Sequence, residues 1–242
     1  MPKKPIEFKR INKYLADTGL ATRREVDKLV TAGLVTINGR KAVLGDKVGP
    51  KDKVILSKSY SPKKQTYLAY YKPRGVSTDK QRGSTSILET KKFPKGVFPV
   101  GRLDKDSEGL IILTSDGRVT DRLLNPMYVH DKEYVVRVKG EIPDKVLQSF
   151  AEGMALNATE KHGKEMTKPA KVARVNGSVF NITISEGKNR QIRRMCETFK
   201  LHVEELKRIR VLNILIGKLK PNEFREFTSS ELKVFLNKLG LK

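Results

Sequence analysis

The sequence predicts an α+β protein in two parts. A small N-terminal unit spans residues 1–56, a linker spans 57–65, and a larger unit spans 66–242, built on a mixed, largely antiparallel sheet flanked by helices. Three observations predict this. Strand-like runs follow one another with only isolated helical segments between them. Asn38-Gly39 and Asn176-Gly177-Ser178 each sit between strand-like runs, as hairpin turns do. Charge density also changes along the chain: residues 1–65 hold 16 Lys and Arg against 6 Asp and Glu, a net of +10, whereas the other 177 residues carry +13.

The elements follow in order. Ile11 and Leu15 mark a short amphipathic helix ending at Gly19. Thr22-Arg23-Arg24-Glu25 is a capping box for a second helix, whose apolar face is Val26, Leu29 and Val30 and whose end is Gly33. Val35–Ile37 and Lys41–Val43 flank Asn38-Gly39 as a hairpin with a type I′ turn. The linker is polar and lacks periodicity. Residues 66–71 form a strand, and Lys72-Pro73-Arg74-Gly75 a turn. Residues 76–96 read as loop with one helical turn near Ile87. Residues 121–124 are helical. Residues 132–139 form a strand with Tyr134, Val136 and Val138 on one face. A helix over 143–153 presents Val146, Leu147 and Phe150. Residues 170–175 and 179–184 make the second hairpin, 205–216 a mixed strand region, and Thr228-Ser229-Ser230-Glu231 caps a final helix.

Two stretches carry candidate chemistry. Gly101-Arg102-Leu103-Asp104-Lys105-Asp106-Ser107-Glu108-Gly109 is a charged loop between glycines. It runs into Leu110–Leu113, a buried strand closed by an Asp116-Gly117 turn. Such a loop holds a carboxylate still, but spacing does not choose among Asp104, Asp106 and Asp116, and all three also suit turns. In Glu186–Phe199, Ile192, Met195, Cys196 and Phe199 recur at helical spacing. They predict an amphipathic helix starting near Lys188, with Arg190, Arg193 and Arg194 on another face.

Composition narrows the partners. A formal net charge of +23 favours a polyanion, nucleic acid before membrane. Cys196 is the single cysteine, so no intramolecular disulfide forms. One cysteine with His130, His162 and His202 does not assemble a standard zinc site. The basic start lacks a signal peptide's apolar segment, and no run reaches transmembrane length. A cytoplasmic protein without membrane or metal partners is expected.

The Gly101–Gly117 run resembles the signature loop of the pseudouridine synthases, in the branch of the RsuA, RluB, RluE and RluF enzymes. There the Arg-Leu-Asp tripeptide carries the catalytic aspartate, which maps to Asp104. The Gly187–Met195 run resembles the family's Gly-Lys-Asn-Arg-Gln-Val/Ile-Arg-Arg-Met motif, which implies that Arg193 pairs with Asp104. Through Lys132-Glu133-Tyr134, Tyr134 is implied to stack on the target base, and Arg102 to contact RNA near the extruded nucleotide. The similarity covers nearly all of residues 66–235 and is strongest to the RluF type, which isomerises a uridine in large-subunit ribosomal RNA and can also act on a tRNA. Residues 8–56 resemble the RNA-binding domain of ribosomal protein S4. That likeness implies that Arg23, Arg24, Lys28, Arg40 and Lys41 contact phosphates, although each alone equally suits a solvated surface. The implied enzyme is a monomeric isomerase acting on structured RNA without a cofactor. The N-terminal unit and the charge alone would equally suit a non-catalytic RNA-binding or ribosome-assembly factor. Asp104, Tyr134 and Arg193 together separate the two readings, because a pure binder needs no such set.

Overall fold

The computed structural model describes residues 8–61, 64–80, 82–125, 127–158 and 163–241. His162 and the linker residues Pro62 and Lys63 lie outside them.

The N-terminal unit runs β1 (Lys9–Arg10), α1 (Ile11–Asp17), α2 (Arg23–Thr31), β2 (Val35–Ile37), β3 (Arg40–Lys41), β4 (Lys47–Val48) and β5 (Val54–Leu56). Ile11 and Leu15 pack with Val26, Val30, Val35 and Ile37 in a buried cluster drawn wholly from this unit. The Thr22 capping box forms: the Glu25 amide donates to Thr22 Oγ1 at 3.3 Å, and the Thr22 amide donates to the Glu25 carboxylate at 2.9 Å. Asn38 and Gly39 adopt φ of 51° and 86°, the positive pair that a type I′ turn requires. The second hairpin strand stops at Lys41, short of the predicted Val43, because the Val43 amide donates to the Asp46 carboxylate at 2.9 Å and leaves the ladder.

The larger unit runs β6 (Tyr67–Lys72), α3 (Ile87–Thr90), β7 (Phe98–Val100), β8 (Glu108–Thr114), α4 (Gly117–Leu124), β9 (Lys132–Val138), α5 (Asp144–Glu152), β10 (Ala155–Leu156) and β11 (Glu165–Met166). It continues with β12 (Lys171–Arg174), β13 (Val179–Ile184), α6 (Gln191–Thr198), β14 (Val203–Val211), β15 (Ile214–Leu215), β16 (Phe224–Glu226) and α7 (Ser229–Lys238). One mixed sheet has the order β12-β13-β9-β14-β8-β6-β16, with β7 beside β8 and β15 beside β14. Its pairings are antiparallel except β8 with β14. Where those two meet, Gly109 has φ +108°, and an added Cβ would lie 2.3 Å from the Arg208 carbonyl. Only glycine lets the strands close there.

The centre of the sheet is buried on both faces. Ile112 and Leu110 of β8 pack with Val119 of α4 and Phe235 of α7, while Ile111 and Leu113 pack with Leu68, Tyr70 and Ile87. That is why β8 is continuously apolar rather than alternating. At the other end, α5 and α6 cover β9 and β13 through Phe150, Met195, Cys196, Val136 and Phe180.

The Asp116-Gly117 turn forms as an Asx turn that is also the N-cap of α4: Asp116 accepts from the Arg118 amide at 3.1 Å and from the Tyr67 hydroxyl at 2.7 Å. One local expectation is corrected. Helix α6 starts at Gln191, not near Lys188, and Gln191 through Cys196 are all buried. Arg193 and Arg194 therefore lie inside the protein, not on a basic face. The two units touch where α1 meets α4. Gln65 ties them, donating to the Gly19 carbonyl at 3.2 Å and accepting from the Ser115 hydroxyl at 2.7 Å.

Candidate active site

The loop between Gly101 and Gly109 is pinned at nearly every residue. The Leu103 amide donates to Thr78 Oγ1 at 3.0 Å, and that hydroxyl donates back to the Leu103 carbonyl at 2.8 Å. The Gly75 amide donates to the Lys105 carbonyl at 2.7 Å, and the Ser107 amide to the Asp104 carbonyl at 3.1 Å. Lys72, at the end of β6, is fully buried and donates to the carbonyls of Ser107 (2.7 Å), Val76 (2.7 Å) and Pro73 (2.9 Å). Burial pushes its ammonium down to about 8, against the pull of Asp104, Asp106 and Glu108. It remains charged at neutral pH and joins the turn of residues 72–75 to the loop. In the sequence that stretch reads as a turn and resembles the family's Lys-Pro-x-Gly, with no role attached to Lys72. The signal was a lysine ending an otherwise apolar strand just before Pro73.

Two arginines meet the carboxylates of the loop, and not in the predicted pairing. Arg193 reaches Asp106 instead of Asp104. It donates to the Asp106 carbonyl at 3.1 Å, the Ser107 hydroxyl at 3.3 Å and the Val203 carbonyl at 3.2 Å. Its Nε lies 3.3 Å from Asp106 Oδ2. The ion-pair partner of Asp104 is Arg190, 3.7 Å away, which also lies 3.3 Å from Asp106. The cause is local. The tight turn from Asp104 to Ser107 carries Asp106 toward α6, and Arg190 precedes the helix in a left-handed conformation with φ 47°, off the helical face that spacing implied. Burial works against a charged Asp106, but Arg193 and Arg190 outweigh it and hold its carboxyl below the usual range. Arg194 is spent elsewhere, on Glu165 at 2.5 Å.

Asp104 lines a cleft of about 910 Å³ together with Arg102, Leu103, Tyr134, Arg190 and Arg208. Tyr134 lies on β9 between its cross-strand partners Ile182 and Arg208. Arg102 is exposed at the rim and pairs with Asp79 at 3.2 Å, a contact worth little in water. Arg208 is buried, donating through Nε to the Leu110 carbonyl at 2.7 Å and through Nη1 toward the Arg102 carbonyl at 3.5 Å. Nothing in the sequence distinguished it from a strand-edge arginine. Arg23, Arg24, Lys28, Arg40 and Lys41 are all exposed on the N-terminal unit, and none lines the cleft. Arg40 is engaged by both Asp46 oxygens, at 2.8 and 3.0 Å. Among the described residues, no three His, Cys, Asp or Glu are placed to hold a metal ion, and no helix is long and apolar enough to cross a membrane.

A cleft with one carboxylate on a pinned loop and an aromatic ring in its wall suits chemistry on a planar ring held against an acid or base. The family model for RNA pseudouridylate synthase matches residues 66–198, and that for the S4 domain residues 9–54. The chain belongs to the RNA pseudouridine synthases. It is 37% identical over 228 residues to the dual-specificity RNA pseudouridine synthase RluF of Escherichia coli strain K12, covering 92% of this chain and 77% of the relative. It is 34% identical over 235 residues to ribosomal large subunit pseudouridine synthase B of Bacillus subtilis, covering 93% and 95%. A crystal structure of a pseudouridylate synthase superposes with a TM-score of 0.69 at 26% identity, over 93% of this chain and 99% of that one. This synthase is thus an RsuA-type isomerase with an N-terminal S4 domain, and RNA is its substrate class.

Proposed function

We propose that this synthase isomerises a specific uridine in large-subunit ribosomal RNA, and also a uridine in a tRNA, with Asp104 as the catalytic nucleophile or base. The observation that carries the assignment is the division of labour among three aspartates. Asp116 is consumed by a helix cap, and Asp106 is held by Arg193 and Arg190. Asp104 alone of the three lines the cleft that contains Tyr134. The relatives' names support the substrate: one refers to the large ribosomal subunit and the other to dual specificity.

The reaction breaks the C1′–N1 bond of uridine and forms C1′–C5. A proton leaves C5 and N1 gains one. No electrons enter or leave and no group is donated, so the balance needs no cofactor. Asp104 supplies the carboxylate, whether it attacks the sugar, attacks the base or takes a ribose proton, with Arg190 as its countercharge. Arg193 holds the turn that aims it. Tyr134 offers a ring for the detached uracil to stack on, and Arg102 meets RNA at the rim. Arg23, Arg24, Lys28, Arg40 and Lys41 of the S4 domain contact phosphates, which positions the RNA and offsets the unstacking of the target base. The buried clusters of the two units share no residue, which supports a division at the 57–65 linker. We expect a cytoplasmic monomer. The test is to map pseudouridine in transcribed ribosomal RNA and tRNA treated with wild-type or Asp104→Asn protein. New sites made only by the wild type support the proposal; sites made equally by both overturn the role of Asp104.

A further inference from the structure

The cations of the cleft are not equivalent. Lys188 lies 3.6 Å from Glu186 and 3.8 Å from Glu165, Arg190 is paired with Asp104 and Asp106, and Arg102 with Asp79. Lys168 also lines the cleft but is exposed; Lys132 and Arg208 differ from all of these in being withdrawn from water and unpaired. Among the described residues, neither has a carboxylate within ion-pair distance. Both line the cleft and lie on the same side of the sheet as Tyr134: Lys132 two residues before it on β9, Arg208 opposite it on β14. Arg208 is 5% exposed. Its Nη2 makes no hydrogen bond to the described residues, while Nε reaches the Leu110 carbonyl on β8 and Nη1 the Arg102 carbonyl on the loop. Lys132 is half-buried, and its ammonium makes one long bond, 3.4 Å to the His130 carbonyl. Glu133, next to it, is on the other face and belongs to Arg210 at 2.6 Å.

Two neighbouring cations withdrawn from water without a counter-ion are costly, and an anion between them recovers that cost. Burial and the Arg208 charge lower the Lys132 ammonium to about 8, which still leaves it protonated at neutral pH. The substrate carries one phosphate per nucleotide, and a uridine swung out of its stack brings its own phosphates to the cleft. We propose that Lys132 and Arg208 form a phosphate-binding subsite in the cleft wall, which holds a phosphodiester flanking the extruded uridine. This rests on the isomerase reading above and deepens it. The extruded nucleotide is then held at two points, its base against Tyr134 and its backbone against this cation pair, so that the base can turn while the chain stays fixed.

The test uses a stem-loop RNA containing a uridine that the full-length synthase has been shown to modify. It is made with ordinary linkages, or with a neutral methylphosphonate on the 5′ or the 3′ side of that uridine. For the wild type, one of the two neutral linkages should raise KM on the order of tenfold, the loss of about one charge-assisted hydrogen bond. In Lys132→Met the same linkage should change KM less than twofold, and the slope of log affinity against log salt should fall by about one. Lys132→Arg should restore sensitivity to the linkage. Turnover of the unmodified RNA by the wild type reports on the isomerase reading separately. If the wild type is indifferent to both neutral linkages, the subsite is refuted. If Lys132→Met is as sensitive as the wild type, or loses activity regardless of linkage, Lys132 serves the base or the fold and the proposal also fails.

Discussion

Replacing Arg193 by lysine keeps a positive charge in the same place, so it isolates the value of the guanidinium's shape. Arg193 is 5% exposed and donates in two directions. Nη2 reaches the Asp106 carbonyl and the Ser107 hydroxyl on the catalytic loop, and Nη1 reaches the Val203 carbonyl on β14. A lysine presents three protons from one atom and reaches the loop or the strand, not both. One or two charge-assisted hydrogen bonds are lost, at about 1.5–3 kcal/mol each, or roughly 3 kcal/mol together. Half of that expressed as stability lowers Tm by roughly 3–6 °C for a chain of this size. The other half, as misplacement of Asp104, lowers kcat at least about tenfold, with KM nearly unchanged because Arg193 is screened from the RNA. Release of tritium from C5-labelled uridine in RNA measures kcat, and a thermal melt measures the rest. Wild-type kcat together with wild-type Tm would refute the claim that this arginine joins strand to loop.

Asp104→Asn should abolish tritium release and leave RNA affinity nearly unchanged, since the shape is kept; turnover at the normal rate would remove Asp104 from the chemistry. Asp106→Asn should retain activity, because Arg193 keeps its bonds to backbone and Ser107; an inactive Asp106→Asn beside an active Asp104→Asn would reverse the two roles. Lys72 has a native pKa near 8 against 10.5 unfolded. The unfolded chain therefore binds more protons between those values, and this group makes unfolding free energy rise from pH 8 to 10.5. Lys72→Met should flatten part of that rise in urea titrations at pH 8, 9 and 10, and should lower stability at pH 7 by a few kcal/mol as three carbonyls lose their donor; unchanged slopes would contradict the shift. Deleting residues 1–60 should leave a cooperative melt and a near-normal single-turnover rate at saturating RNA, with an affinity deficit that shrinks as salt rises. A molten product would place the domain boundary elsewhere.

The sequence by itself determined what short range decides. Turn chemistry at Asn38-Gly39, the capping boxes at Thr22 and Thr228, the apolar run of β8 and the alternation that puts Tyr134 on the Val136 face all act within a few residues, and the structure contains each of them. The resemblance singled out Asp104 because its motif is contiguous. Partner choice among charges was another matter. Three aspartates within thirteen positions and three arginines within five offer several pairings of equal local merit. Arg193 meets Asp106 across 87 residues and Arg208 meets Leu110 across 98. Those distances are set by the parallel contact of β8 with β14, by the closeness that Gly109 permits, and by a helix that begins one residue after Arg190. Arg208 was silent for the same reason, and Lys72 showed only as a lysine ending an apolar strand. A buried cation is recognised by the carbonyls that surround it, and only the folded chain brings those carbonyls together.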